Sequence, residues 1–343
     1  MENFRARYPP EASLLLRRGN YGELGLKYHS PLNPRLLLAL LPESQQQAVK
    51  ATARKFRMRV FSLLFSYNAA ELDAKLRSLG IAAGDAILMQ SSFQNLNGFN
   101  GEAVDVINCI LDIIGPDGHL VMVSMPYGGA ALDYFREQKP FDVRRTPSQM
   151  GLISELFRRR KGVLRSGNPM HPVLAWGPRA EWLVAGHDTL SHSCGVDSPF
   201  EKLLELDTKA LLFDVGLDVL TFTHYLEHVF QDTAPVRVYA DEPVDADIID
   251  ETGRHRGVSV YPFAPAAMKL RNFGVLYDDL LNLRLVNKSA IGNTRLQVVS
   301  LRSVLWCGVK LVDRGGHIFA RPGEPTRIKP LRRREIRELF RRS

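Results

Sequence analysis

The chain has 343 residues, 45% hydrophobic and 24% charged, the balance of a globular protein long enough to bury about three-quarters of its unfolded surface. No stretch approaches the roughly 18 apolar residues of a membrane span, and Arg17 and Arg18 interrupt the one short leucine run near the start, so neither span nor signal peptide is expected. Of the net charge of +8, residues 1–60 contribute +7 and residues 321–343 contribute +6, so the 260 residues between carry −5; neither end interleaves aromatic with basic residues, so nucleic acid is not the expected partner.

Residues 1–60, with Pro9, Pro10, Pro31, Pro34 and Pro42, read as a basic N-terminal extension with one short helix near 44–65. From Asn68 the pattern sharpens. The run to Gly80 predicts a capped helix with Leu72, Leu76 and Leu79 on one face, and residues 86–90 predict a strand. A polar, glycine-bearing loop from Ser91 to Gly101 leads into a second helix carrying Ala103, Val104, Ile107, Ile110, Leu111 and Ile114, and then into a strand from His119. This βαβ unit implies a parallel pair. A helix start is expected at Thr146–Ser148, continuing to Arg160, and buried strands at 172–177 and 209–216. Residues 221–230 have room for a helix. Two sheet-edge strands are expected at 235–244 and 256–264, and β-like runs at 296–301 and 308–312.

The fold class expected is α/β: three layers, a largely parallel or mixed central sheet with helices on both faces, and an antiparallel appendage. The domain would occupy 61–320, between the N-terminal extension and a basic amphipathic C-terminal tail at 321–343. In that tail Ile336, Leu339 and Phe340 share a helical face among six arginines, which suits weak contact with an anionic membrane surface or docking in a homodimer.

Several residues could carry chemistry. The loop after the first strand could cradle phosphate through Ser91, Ser92 and the backbone near Gly101, although such loops are often only turns. Thr146 and Ser148 could do no more than cap a helix. His171, between Pro169 and Pro172 on a stiff segment before a strand, is a candidate general base, with Asp218 or Glu227 to orient its ring. His224, Glu227 and His228 spell H-x-x-E-H, a zinc hydrolase pattern, without an evident third ligand motif downstream. Neither a G-x-S-x-G elbow nor a Walker motif occurs. Cys109, Cys194 and Cys307, each alone in sequence, offer no disulfide framework or metal-type pair, which fits a reducing cytoplasm.

The segment from Phe141 to Glu227 joins Thr146-Pro147-Ser148, Met150-Gly151, Arg165-Ser166, Pro169, His171, Asp218, Thr221, His224 and Glu227 in one order. With residues 90–101 upstream, it resembles the aminoglycoside 3-N-acetyltransferase family. Gln90 stands where that family has His, Asn100 where it has the first glycine of a pair, and Asn168 where it has the first His of HP-x-H. The resemblance implies acetyl transfer from acetyl-coenzyme A to an amino group of an amino sugar, without a metal. It implies His171, Asp218, His224 and Glu227 as catalytic residues, and Ser91, Ser92, Gly101, Thr146, Ser148 and Met150 against the coenzyme. The acceptor would be an aminoglycoside-type compound or an amino sugar of surface-polysaccharide biosynthesis, and the protein cytoplasmic or peripheral to the membrane. Two other readings stand beside it: a non-catalytic coenzyme A or sugar-binding protein on the same scaffold, and the zinc metallohydrolase.

Overall fold

The structure is a computed structural model that describes residues 41–42, 45–49, 52, 65–92 and 98–319. Chain contacts divide the molecule into two units, 1–56 and 57–343. In the first, residues 45–49 are helical; most of the helix expected near 44–65, and the tail at 321–343, lie outside the described residues. Among the described residues no helix is long and apolar enough to cross a membrane.

The second unit opens with α1 (Ala69–Ser78), β1 (Ala86–Ser91), α2 (Ala103–Ile114) and β2 (His119–Val123), followed by α3 (Ala131–Arg136), β3 (Phe141–Asp142), α4 (Leu152–Arg158) and β4 (Leu164–Arg165). Next come β5 (Val173–Trp176), α5 (Ala180–Val184), α6 (Pro199–Glu205), β6 (Lys209–Phe213) and α7 (Thr223–Val229). The chain continues through β7 (Val244–Ile249), β8 (His255–Val260), α8 (Pro265–Leu270), α9 (Gly274–Asn282), β9 (Val286–Ile291), β10 (Thr294–Ser300) and α10 (Leu301–Asp313). Local chemistry sets several boundaries. Asn68 and Glu71 close a reciprocal capping box at α1 (2.9 and 3.0 Å), satisfying two otherwise unpaired amides.

The main sheet runs β4-β5-β2-β1-β6-β10-β9. Only the central three strands are parallel to one another, and each flanking strand is antiparallel to its inner neighbour, so the sheet is mixed. Side chains alternate across it, as the two-residue strand period requires. Leu88, Val121, Ala210 and Leu212 join one core with α5, α6, α7, α9 and α10; Ile87, Met89, Leu120 and Leu211 join another with α1, α2 and α4. A smaller sheet, β3-β7-β8, closes its own core around Phe141, Met170 and Val260.

Two sequence expectations change here. Residues 308–312 are not a strand but part of α10, because Leu301, Val304, Leu305, Gly308, Leu311 and Val312 recur every three or four residues and are buried together. Gly308 lets that helix close on α7, since a Cβ there would meet Leu226 and Phe230 at 2.8 Å. Residues 235–243 form no strand either, only a bridge from Tyr239 to Phe263; the alternating pattern begins at Val244.

The glycines before α2 serve the chain itself. Gly98 has φ +100°, and a Cβ there would lie 2.2 Å from the Phe65 carbonyl oxygen, while its own carbonyl accepts the Tyr67 amide at 2.8 Å. Gly98→Ala is therefore expected to cost about 1–3 kcal/mol in urea unfolding, and unchanged stability would mean that this crossing is loose.

Candidate active site

Ligands of open α/β sheets gather at the carboxyl ends of the parallel strands. β1 and β2 end there at Ser91 and Val123, and β6 at Phe213. Because β5 is antiparallel to β2, with Val173 opposite Val123, its amino end and the preceding His171 reach the same edge. Helix α7, after β6, brings His224 to it. Thus two histidines 53 positions apart come together, with ring centroids 5.2 Å apart.

Their partners differ. His224 Nδ1 lies 2.7 Å from Glu227 Oε2, the i, i+3 spacing that puts both on one helix face. A carboxylate can only accept, so Nδ1 carries the hydrogen and the neutral ring keeps its lone pair on Nε2. Glu227 is fully buried, while the His224 side chain retains 18% exposure. Arg271 clasps the same carboxylate, Nε to Oε1 at 2.5 Å and Nη2 to Oε2 at 3.0 Å. Its guanidinium lies 4.9 Å from the Phe263 ring and 5.6 Å from Phe273, both cation–π distances.

His171 is buried, and Nδ1 meets Ser193 Oγ at 2.7 Å. Burial, with His224, His187 and Arg271 adding to it, holds its pKa well below the ordinary imidazole value. The carboxylate expected behind His171 is therefore behind His224 instead: Glu227 faces its own helix neighbour. Asp218 is exposed in the turn after β6, so the orienting role behind His171 falls to a serine hydroxyl.

A buried polar chain fixes that serine. His187 Nε2 lies 2.7 Å from the Ser193 carbonyl, which can only accept, so Nε2 is the protonated nitrogen. Nδ1 then accepts from Ser166 Oγ at 2.8 Å, and Ser166 Oγ accepts the Val173 amide at 2.9 Å. Burial lowers the His187 pKa to about 3, consistent with a neutral ring. Asn168 completes the bracket through the His187 and Leu190 carbonyls at 3.2 and 2.9 Å. Sequence reasoning missed His187, Ser193 and Arg271, because no spacing motif marks groups that only tertiary packing unites.

Gln90 binds the next loop. Its Nε2 donates to the Val219 carbonyl (2.7 Å) and Thr221 Oγ1 (2.9 Å), and its Oε1 accepts the Thr221 amide at 3.0 Å. The Thr221 hydroxyl, accepting from Gln90, keeps its own hydrogen to donate. Beside it a cavity of about 160 Å³ is lined by Gln90, Ser91, Met150, Ser154, Val215 and Val219.

The other coenzyme candidates are scattered. Thr146 Oγ1 accepts the Asp142 amide at 2.9 Å and lines a separate cavity of about 540 Å³ with Tyr127, Gly128 and Gln149. Its carbonyl, like that of Ser124, accepts from buried Arg165 at 2.5 Å, whose pKa burial lowers to about 9. Ser148 is buried against Ser154 (2.6 Å), and its amide donates to Glu155, a carboxyl that Arg158 holds at about 2. This packing displaces the helix start expected at Thr146–Ser148 to Leu152, with Gly151 at φ +103° before it. Ser92 donates its amide to the Phe213 carbonyl at 3.1 Å. At Gly101 a Cβ would meet the Phe99 ring at 2.9 Å, a contact within the chain.

The H-x-x-E-H residues do not converge. His228 Nδ1 pairs with the Tyr239 hydroxyl at 3.1 Å, and its ring packs on His192, away from the His224–Glu227 pair. Among the described residues no group of three or more His, Cys, Asp or Glu could hold a metal ion.

A mixed α/β sheet carrying an imidazole–carboxylate dyad at its carboxyl edge defines the class. The family model for aminoglycoside 3-N-acetyltransferase matches residues 88–313, and the chain belongs to that family. The aminoglycoside N(3)-acetyltransferase III of Pseudomonas aeruginosa is 29% identical over 47% of this chain and 63% of its own length. A prophage-derived aminoglycoside N(3')-acetyltransferase-like protein of Bacillus subtilis is 30% identical over 49% of this chain and 68% of its own. The match thus spans about three-fifths of the first of these relatives. Among solved structures, aminoglycoside acetyltransferase AAC(3)-IVa aligns with TM-score 0.61 at 25% identity over 76% of this chain and 93% of its own. AAC(3)-Xa aligns with TM-score 0.65 at 20% identity over 78% and 99%.

Proposed function

We propose that the chain transfers the acetyl group of acetyl-coenzyme A to an amino group of an amino sugar, with His224 as general base. The observation that carries this reading is the His224–Glu227 dyad: a base whose tautomer is fixed by a buried carboxylate and whose partly exposed ring lies beside His171 at the functional edge of the sheet. An alkylammonium cannot attack a thioester until it loses a proton, and a near-neutral imidazole is the side chain suited to take it. The amine nitrogen then forms its bond to the carbonyl carbon, the carbon–sulfur bond breaks with its electron pair leaving on sulfur, and the proton held on His224 passes to the thiolate. The freed imidazole takes the second proton from the acylated nitrogen and releases it to solvent, so that ammonium and thioester give amide, thiol and one proton. Thr221, with its hydroxyl hydrogen uncommitted to Gln90, is a donor suited to the developing oxyanion.

The apolar cavity at Ser91, Met150 and Val219 suits the thin arm of the cosubstrate, and Thr146 would meet it further along. The relatives' names point to aminoglycosides; an amino sugar of surface-polysaccharide biosynthesis has the same reacting group. The 260-residue body, with its net −5, favours a cationic acceptor of either kind.

The test is mass-spectrometric detection of acetylated product across a panel of aminoglycosides and amino sugars. A second measurement reads the donor alone. Acetyl-coenzyme A is expected to raise the melting temperature, since a hundredfold excess over Kd stabilises the native state by about 2.7 kcal/mol. A coenzyme-dependent shift without product from any acceptor would favour the non-catalytic binding protein. No shift at millimolar concentration would rule out the donor.

A further inference from the structure

The Glu227 carboxylate is fully buried, yet it sits beside the histidine that must be neutral before it can accept a proton. A buried carboxylate facing only an imidazole favours the charged ring and raises the pH at which that ring gives up its proton. Arg271 prevents this. It comes from beyond α8, 44 residues from Glu227 in sequence, is held between Phe263 and Phe273, and spans both carboxylate oxygens. The pair is then neutral before any proton arrives.

Resting on the acetyl-transfer reading for its role in turnover, we infer that Arg271 is a positioning residue: by satisfying the charge of Glu227 it keeps His224 unprotonated and ready as a base at neutral pH. The other titratable groups near this carboxylate do not supply a competing charge. Cys194, Tyr239 and Tyr277 are held protonated by burial, and the exposed Asp218 acts on Tyr277 from outside. His317 and His171 are held neutral by burial. Arg271 therefore provides the countercharge. A lysine could restore its charge but not its two-point clasp.

The experiment follows the His224 imidazole by NMR against pH, with no substrate present, and the acid limb of kcat/KM where product forms. In Arg271→Gln the titration is expected to move up by about one pH unit or more, the size of shift one close charge causes. Turnover at neutral pH should fall and recover as the pH is raised. Arg271→Lys should titrate near the parent value, with reduced turnover.

Should Arg271→Gln not fold, the pair Glu227→Gln and Glu227→Gln/Arg271→Gln carries the test, since neither strands a buried carboxylate. The double variant is expected to titrate above the single one. A purely structural role for Arg271 predicts equal activity losses at every pH and no displacement of the titration, and that result overturns the inference. The two readings separate cleanly: a moved titration in a protein that acetylates nothing keeps the charge role and rejects the acetyl-transfer reading, whereas acetylation with an unmoved titration does the reverse.

Discussion

Replacing His224 with alanine is expected to lower turnover with an amino-sugar acceptor by about 10²–10⁴-fold, the range for removal of a general base, while leaving the thermal shift with acetyl-coenzyme A intact. The asymmetry between the two facing histidines gives this prediction its contrast. His224 donates Nδ1–H to a buried carboxylate, which stabilises the imidazolium formed when Nε2 takes a proton. His171 has only the Ser193 hydroxyl, and burial opposes its charging. His171→Gln should therefore lose about tenfold, close to the worth of one hydrogen bond, and Asp218→Asn should leave turnover near that of the parent. Near-normal activity in His224→Ala, with a deep loss in His171→Gln, would return the base role to His171. Product pH profiles would then have to follow a group whose burial favours the neutral form.

How far such a site could be read from the chain depends on whether its parts are local. Helix α1 was legible from Asn68, Glu71 and three leucines, because cap and periodicity lie within one segment. The pairing of His224 with Glu227 was also local, an i, i+3 contact within one helix, though its letters admitted a zinc reading as well. What separates the two readings is the direction taken by His228, toward Tyr239 and His192, and that depends on residues 11 and 36 positions away, respectively. His171, brought to the edge by an antiparallel strand, was visible as a candidate but not its partner. Arg271 and Ser193 had no signal at all: an arginine after a short helix and a serine in an irregular segment acquire meaning only when the sheet delivers them. The same holds for residues 308–312, where valines suggest strand, yet packing of every third or fourth side chain against α7 makes helix.

Stability is expected to fall steeply on mild acidification, through histidines outside the proton-transfer step as well as beside it. His187, with a pKa near 3, and His171, well below the usual value, remain neutral in the fold, whereas in the unfolded chain each titrates near the ordinary imidazole value of about 6.5. Below that pH the unfolded state binds protons that the folded state refuses, so stability rises with pH across this window and is lost as pH falls through it. Such a group costs about 1.4 kcal/mol per pH unit, so by pH 4.5 His187 alone amounts to roughly 2.7 kcal/mol, a large part of the stability of a marginal domain, and His171 adds in the same direction. His228, lowered to about 4 at a partly exposed position, adds a smaller share in the same direction. Urea unfolding at pH 7.5, 6.5, 5.5 and 4.5 reads the slope directly, with about one proton taken up by His187 on unfolding at the acid end and a further uptake from His171. His187→Gln should reduce that slope by about one proton, whatever it does to stability at pH 7.5, because glutamine cannot titrate but can still offer a donor to the Ser193 carbonyl. A flat profile in the parent chain would mean that these imidazoles find water or protons in the folded state, and the chain of bonds from Ser166 through His187 to Ser193 would then be too loose to hold His171 at the sheet edge.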